Sequence, residues 1–318
     1  MTGLGMALAM QGGVGSAQPA YPARQVRVIV PFPPGGGADF MGREIARRLS
    51  EALGQPFVVE NRAGAAGIIG SELVAKAPAD GYTLLLATTG THSSNPVAYK
   101  DLPYHPLKDF SVVSIFADAP FMLCVNAGLN INSFADLIAY SKLNPKALTY
   151  GSAGLGSSTH LGFEALKQLT GIQVEHVPYK GLPPAMADTL SGHVSMTFDS
   201  IPSALPHLNN GRIRVLGVGS AKRLQNLPNV PTIAEAAPGY TLGSWYGLLA
   251  PAGTPADVVR RLNGEVNRIL QTKEFQERLA GVGATPLLGD PAQHAAFLAK
   301  DLERWLQVAS SLNLRASQ

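Results

Sequence analysis

The sequence predicts an α/β protein built as two doubly wound α/β domains joined by two crossover connections. Three observations carry this. Short β-branched apolar runs alternate with helical periods through most of the 318 residues. Each half holds a glycine-rich corner where a strand feeds a helix, at residues 33–39 and 151–160. The alternation breaks twice: at a long apolar run over residues 112–125, and at a proline-punctuated return over residues 227–240 followed by a second apolar run over residues 245–250.

The elements follow in order. VRVIVPFPPGGGAD gives a strand over residues 26–32, then two prolines and three glycines. A helix over residues 38–53 has Ile45, Leu49 and Leu53 at four-residue spacing, and Gly54 closes it. A short strand over residues 57–59 leads into NRAGAAG, a second glycine-rich loop, and a helix over residues 68–77. The turn Pro78-Ala79-Asp80-Gly81 precedes a strand over residues 82–87. Strands separated by such helices imply a parallel sheet covered on both faces.

Residues 96–110 are proline-rich and carry no helical period. The run over residues 112–125 exceeds the five or six residues of an ordinary strand, which suits a strand leaving one sheet for another. Helices over residues 133–142, 158–170, 183–191 and 202–210 then alternate with strands over residues 148–151, 173–177, 194–199 and 213–219. Three helices close the chain, over about residues 255–271, 273–281 and 291–311, with Thr254 as N-cap and Pro255 at the first helical position of the first. The expected division is residues 22–110 plus 228–318 for one domain and 111–227 for the other, with residues 1–21 outside both. Two crossings make a hinged pair whose cleft, faced by strand ends and helix N-termini, is the natural ligand site.

Hydrophobic residues at 46% and charged ones at 15% describe a packed globular chain and exclude disorder. A net charge of +3 without a Lys/Arg run gives no footprint for nucleic acid. Cys124, the single cysteine, permits no internal disulfide and reads as a buried small hydrophobe inside FMLCVN. The first twenty residues hold a short apolar segment, then small residues and Ala-Gln-Pro-Ala, like the end of a secretory signal cleaved near residues 16–18. They lack a basic leader, as a truncated or misassigned start codon would produce; the bland alternative is a floppy tail. No later segment reaches the ~20 uncharged apolar residues of a membrane span, so a soluble mature protein is expected.

The corner at residues 33–39 bares amides where a helix dipole is positive, a site for an anion that needs no reactive side chain. A carboxylate held by Gly36, Gly37 and Ala38 is expected there, with Asp39 orienting the loop. The alternative is a tight turn where glycine merely fits, but three glycines after two prolines exceed what a turn needs. The spacing is not G-x-G-x-x-G, so a dinucleotide is not indicated. GSAGLGSSTH repeats the device, with hydroxyls of Ser157, Ser158 and Thr159 at a helix mouth; an ordinary serine N-cap is compatible with it. Thr89 and Thr91, in the hydroxyl-rich end of the third strand, are candidate contacts or a polar cap. Tyr179, Phe32 and Trp245 are candidate cleft walls, Lys180 either lends charge to the cleft or is merely solvated, and Asp199 either meets a ligand donor or ties down a loop.

Ser157, His160 and Asp199 supply the residue types of a hydrolase triad, but no G-x-S-x-G elbow occurs, and Ser157 and His160 lie three apart on one helix start. Seven histidines without H-x-x-x-H spacing give no zinc pattern, and no cofactor is called for.

Four segments carry a family resemblance: VRVIVPFPPGGGADFMGREIARRLSEALGQPFVVENRAGAAGIIGSELVAKAPADGYTLL, LTYGSAGLGSSTHLGFEALKQLTGIQVEHVPYKG, GHVSMTFDSIPSALPHLNNGRIRVLGVGSAKR and LPNVPTIAEAAPGYTLGSWYGLLAPAGTP. Over roughly residues 22–310 the chain resembles Bug-type (Bordetella uptake gene) periplasmic solute-binding proteins, the extracytoplasmic receptors of tripartite tricarboxylate transporters. The resemblance implies a two-domain Venus flytrap like the type II periplasmic binding proteins, and a monomer. It implies a small organic carboxylate as ligand (a dicarboxylate, an amino acid or an aromatic acid) and two integral membrane transporter subunits as partners. It carries ligand binding onto residues 33–39, onto Ser152, Gly156, Ser157, Ser158, Thr159 and His160, and onto Thr89, Thr91 and Asp199. A hydrolase or transferase in the same cleft is the alternative, which turnover of a carboxylate ester would support. A cytoplasmic regulator is a third reading, favoured if the chain stays uncleaved in the cytoplasm.

Overall fold

The computed structural model describes residues 21–312; the signal-like segment lies outside the described residues. Its ten strands join in one mixed sheet with two halves. In the first half, β1 (Val26–Val30) pairs in parallel with β2 (Phe57–Asn61) and β3 (Thr83–Thr88). Around them lie α1 (Gly37–Leu53) and α2 (Ile68–Ala75). Gly54 ends α1 at φ 67°, as a left-handed C-cap requires.

Where residues 96–110 carry no helical period, the structure holds one earlier: a π-turn (Gly90–Ser94) and a short α3 (Asn95–Ala98) follow β3 directly. The cause is local, with Thr88 and Thr91 exchanging backbone and hydroxyl hydrogen bonds and the Asn95 side chain donating to Ala66 O at 2.9 Å.

The first crossing is β4 (Phe110–Asn126), a single 17-residue strand. The second half holds α4 (Phe134–Leu143), β5 (Thr149–Ser152), α5 (Ser158–Thr170) and β6 (Glu175–Pro178). It continues through α6 (Leu182–Ser191), β7 (Met196–Ser200), α7 (Ile201–Asn209) and β8 (Ile213–Val218). The return is β9 (Gly243–Pro251), followed by α8 (Ala256–Gln271), α9 (Lys273–Gly281), the two-residue β10 (Thr285–Pro286) and α10 (Pro291–Ser311).

The expected parallel pairing holds within each half, for β1 with β2 and β3 and for β5 with β6 and β7, but the crossing strands make the whole sheet mixed. Its order is β2-β1-β3-β9-β4-β7-β5-β6, with β8 and β10 on β4, and every pairing of β4 and β9 is antiparallel. The physical reason is the crossing: a strand that returns without a helical crossover must run opposite to its neighbour. Residues 110–120 of β4 pair with β9, and residues 121–126 pair with β7 and β8. Thr254 does not cap α8 either; its hydroxyl donates to Pro251 O at 2.8 Å and Pro255 itself stands at the N-cap.

Apolar clusters cover both faces of each half. Val28, Leu86, Ile45 and Leu262 join α1, α8 and α9 to one face of the first half, while Ile29, Leu85, Trp245 and Leu298 fill the other. Tyr150, Phe163, Phe198 and Trp305 belong to the second half, whose opposite face holds the buried Cys124 with Met122 and Met186. α10 therefore reaches both halves, through Leu298 in one core and Trp305 in the other.

The two crossings touch at their narrowest point. Phe121 N–H donates to Leu242 O, Leu242 N–H to Gly219 O, and Gly219 N–H to Phe121 O. A Cβ on Gly219 would stand 2.0 Å from Leu242 O, and one on Gly243 would stand 2.5 Å from Ala119 O. Backbone cannot yield there, so Gly219→Ala is expected to cost roughly 2–4 kcal/mol, against a gain of about 0.5–1 kcal/mol for Gly264→Ala, a helical glycine with open space around it. Urea unfolding followed by circular dichroism reads both signs.

Candidate functional site

Two helix starts from opposite halves face one small cavity. On the first side β1 ends and PFPPGG turns the chain into α1, whose N-cap, Gly36, provides no side-chain cap, whereas α4, α5, α9 and α10 are capped by Ser133, Ser157, Thr272 and Asp290. The first amides of any helix have no intrahelical acceptor. Gly36, Gly37 and Ala38 line the cavity with those donors, beside Phe32.

Asp39 holds the loop from behind. It accepts from Gly35 N–H at 3.1 Å, from Asn61 Nδ2 at 2.9 Å and from Arg43 Nε at 3.0 Å, while Asn61 also donates to Phe32 O. Burial opposes its charge, yet these hydrogen bonds keep its carboxyl below the usual range.

On the second side β5 runs through Ala153 into α5. Ser157 Oγ accepts from His160 N–H, and Thr159 Oγ1 from Ala153 N–H at 3.0 Å. The Ser158 hydroxyl has no partner among the described residues. Thr88, Gly90, Ser244 and Tyr246 form the floor, with Phe121, Leu182, Pro183 and Ala66 as apolar walls. Ala66 sits in a 3-10 turn at φ 52°, left-handed backbone unusual for alanine and held by Asn95 on its carbonyl.

The halves meet around this space. The Tyr99 hydroxyl donates to Leu155 O at 2.5 Å, and a Cβ on Gly181 would strike Pro33 at 2.6 Å. The cavity measures about 50 Å³. Among the described residues its only ionisable lining group is the Tyr246 phenol, which burial keeps neutral far above the ordinary tyrosine range. A larger cavity of about 780 Å³ lies behind the crossing strands, between Gly219, Gly243 and α10; it carries mixed charges (Asp118, Lys300, Arg304) and none of these helix starts.

Phe32, Gly36, Gly37, Ala38, Ser157, Ser158 and Thr159 come together at the cavity as the sequence led one to expect. The other candidates stand elsewhere. Asp39, Ser152, Gly156 and His160 lie behind the two loops: Ser152 Oγ bonds both backbone groups of Gly154, and Gly156 N–H donates to His160 Nδ1 at 3.1 Å. Thr91 turns its hydroxyl to Thr88 O and His92. Thr89 accepts from Trp245 N–H, and both border the rear cavity, because Trp245 alternates with the cavity-facing Ser244 and Tyr246 along one strand.

Tyr179 points to Asp188 Oδ2 at 2.6 Å, away from the cavity. Asp199 is fully buried at the start of α7 and accepts from Ser200 N–H, Ser200 Oγ and Ser203 Oγ; burial raises its pKa to about 7 against those donors. It ties down its own helix. The hydrolase set is thus dispersed, since Ser157 Oγ meets the backbone of His160 rather than its ring. Thr88, Gly90 and Ala153 lay inside stretches singled out from the sequence without being named individually, whereas Ala66, Phe121, Leu182, Pro183, Ser244 and Tyr246 were missed. Strand alternation in GSWYG was the available signal for the last pair.

Comparison with known proteins gives four further findings. Residues 41–314 match the model of the tripartite tricarboxylate transporter family receptor. Protein BugT of Bordetella pertussis is 41% identical over 91% of this chain and 89% of its own length. Among solved structures, R. palustris Rpa4515 with adipate superposes at TM-score 0.91 with 41% identity, covering 93% of this chain and 100% of that one. MatC from Rhodopseudomonas palustris with bound malate gives TM-score 0.83 at 32% identity, covering 91% and 99%.

Asp39→Asn should keep the fold and loosen the first loop, at a cost of about 1–2 kcal/mol at neutral pH. Because the folded carboxyl titrates below its ordinary value, its stabilisation exists above the unfolded pKa of about 4 and fades as pH falls through the folded one. The stability gap between wild type and Asp39→Asn, read by denaturant titration, should therefore close in acid.

Proposed function

The chain belongs to the tripartite tricarboxylate transporter receptor family, whose members are solute-binding receptors, and from that premise we propose that it captures a small organic carboxylate in the 50 Å³ cavity through backbone amides and hydroxyls. One observation carries the reading: the uncapped N-terminus of α1 and the first turn of α5, with its Ser158 hydroxyl, converge on a space with no charged side chain. Such a space favours an anion paired by dipoles and N–H groups. The adipate of Rpa4515 and the malate of MatC, in relatives of similar overall form, support a carboxylate.

In this reading the two lobes are residues 22–110 plus 228–318 and 111–227, closing about β4 and β9, although Ile233, Ala237, Tyr240 and Leu242 pack in the core of the second half. Hydrogen bonds to a charged group contribute roughly 1.5–3 kcal/mol each and helix ends ~0.3–1. Four or five contacts, less the cost of closure, reach the ~8 kcal/mol of micromolar affinity. No covalent step is involved: the protein acts in the periplasm as a monomer and hands its ligand to two membrane subunits.

The lining also sorts ligands. Phe32, Phe121, Leu182 and Pro183 suit an apolar body, and no lining carboxylate awaits an ammonium group. Unsubstituted dicarboxylates should therefore bind more tightly than aspartate. Calorimetry at pH 7 should give a micromolar Kd for adipate or a shorter homologue, and at least tenfold weaker binding of aspartate. Ser158→Ala should weaken the diacid about tenfold. Gly37→Val should abolish binding, since a Cβ there already stands 2.7 Å from both Ser200 Cβ and the Tyr246 hydroxyl. Failure of every carboxylate to bind, or steady turnover of a carboxylate ester, would overturn the reading.

A further inference from the structure

We propose that His176, with His160 stacked on it, is a positioning residue for the second ligand loop, holding residues 152–158 in the one shape that aims the start of α5 at the cavity. The inference rests on the ligand reading above and extends it to side chains that do not line the cavity.

Ser152 Oγ accepts from Gly154 N–H at 3.1 Å and donates to Gly154 O at 3.2 Å, so its single proton is spent. His176 Nε2 lies 2.6 Å from the same oxygen and is the donor in that pair when its ring carries the proton on Nε2, the tautomer this inference assigns. Three bonds then saturate the hydroxyl and lock Gly154, whose φ of 129° few other residues adopt. Four positions on, His160 Nδ1 accepts from Gly156 N–H, again at a left-handed glycine, φ 74°. Its proton therefore sits on Nε2.

The two rings stack with centroids 4.1 Å apart and planes 22° from parallel. Tyr150 stacks on His176 at 4.9 Å and on Phe163 at 4.0 Å, so a chain of four stacked rings links the core of the second half to the loop. The histidines anchor the two glycines through one hydroxyl and one ring nitrogen.

Acid should release this anchor. A second proton on His160 falls on Nδ1, the atom that receives Gly156 N–H, and turns an attraction into a clash of donors. The groups facing the pair are Glu164 and Lys167 of α5, bonded to each other at 2.9 Å, and the Tyr150 phenol, which donates to Glu164 at 2.7 Å. Burial holds both imidazoles below the ordinary histidine range, His176 at about 4, so the loop is intact at neutral pH.

The test has two readouts on the full chain. The first needs no ligand: amide hydrogen exchange at Gly154 and Gly156 should accelerate at least tenfold in His176→Phe, which keeps the stack and loses the donor. Exchange should return towards wild type in His176→Gln, which restores a donor. The second uses adipate as probe: its Kd should rise about tenfold in His176→Phe with the thermal midpoint little changed, and recover in His176→Gln. Between pH 7 and 5 the wild type should lose affinity faster than His160→Asn, whose amide oxygen still accepts from Gly156 whatever the pH; protonation of adipate itself is common to both.

Should His176→Phe not fold, His160→Asn and His176→Gln carry the same comparison. Unchanged exchange in His176→Phe, no recovery with glutamine, or parallel pH profiles for wild type and His160→Asn would overturn the proposal. A wild type that binds no adipate would count against the ligand reading, while the exchange measurement would still decide the role of His176.

Discussion

A backbone N–H removed from water must find an acceptor, and this structure is organised around a set of them without one. The first turns of α1 and α5 present such donors to a shared cavity from opposite sides. Leaving a buried donor unpaired costs on the order of 1–3 kcal/mol. An empty site therefore leaves this cost uncompensated, and a carboxylate there would satisfy donors and dipoles together. Selectivity for an anion then needs no cationic side chain.

The amides act only if the loops bearing them are rigid, and the side chains that provide rigidity stand out of reach of the cavity. Asp39, with Arg43 and Asn61, fixes the first loop; Ser152, with the histidine stack behind it, fixes the second. Both supports are polar networks close to saturation, so small displacements at either end carry through to the donors. Phe32, Phe121, Leu182 and Pro183 supply shape rather than charge.

The halves are held in register by backbone at closest approach. Gly219 and Gly243 let the crossings touch where any Cβ would meet a carbonyl, and α10 adds a third link through Leu298 and Trp305. Tyr246 belongs to the same arrangement: it sits on the returning strand, yet its hydroxyl lies against Gly37 at the mouth of α1.

Much of this was legible in the chain. Alternating apolar runs and helical periods placed nearly every element, because local periodicity reports which face of a segment is buried. The two glycine corners announced the donors, because few other uses call for three glycines between a strand and a helix. What periodicity cannot report is which strands become neighbours. The antiparallel insertion of β9 between β3 and β4, and with it Ser244 and Tyr246 at the floor, depends on contacts more than a hundred residues apart. The same holds for polar residues beside the corners. Thr89, Tyr179, His160 and Asp199 looked like ligand contacts from position alone, and only packing decided that each spends its polar atoms on the protein itself. Sequence determines which backbone donors are bared; the direction in which a neighbouring side chain turns is settled by whichever acceptor the folded chain brings nearest.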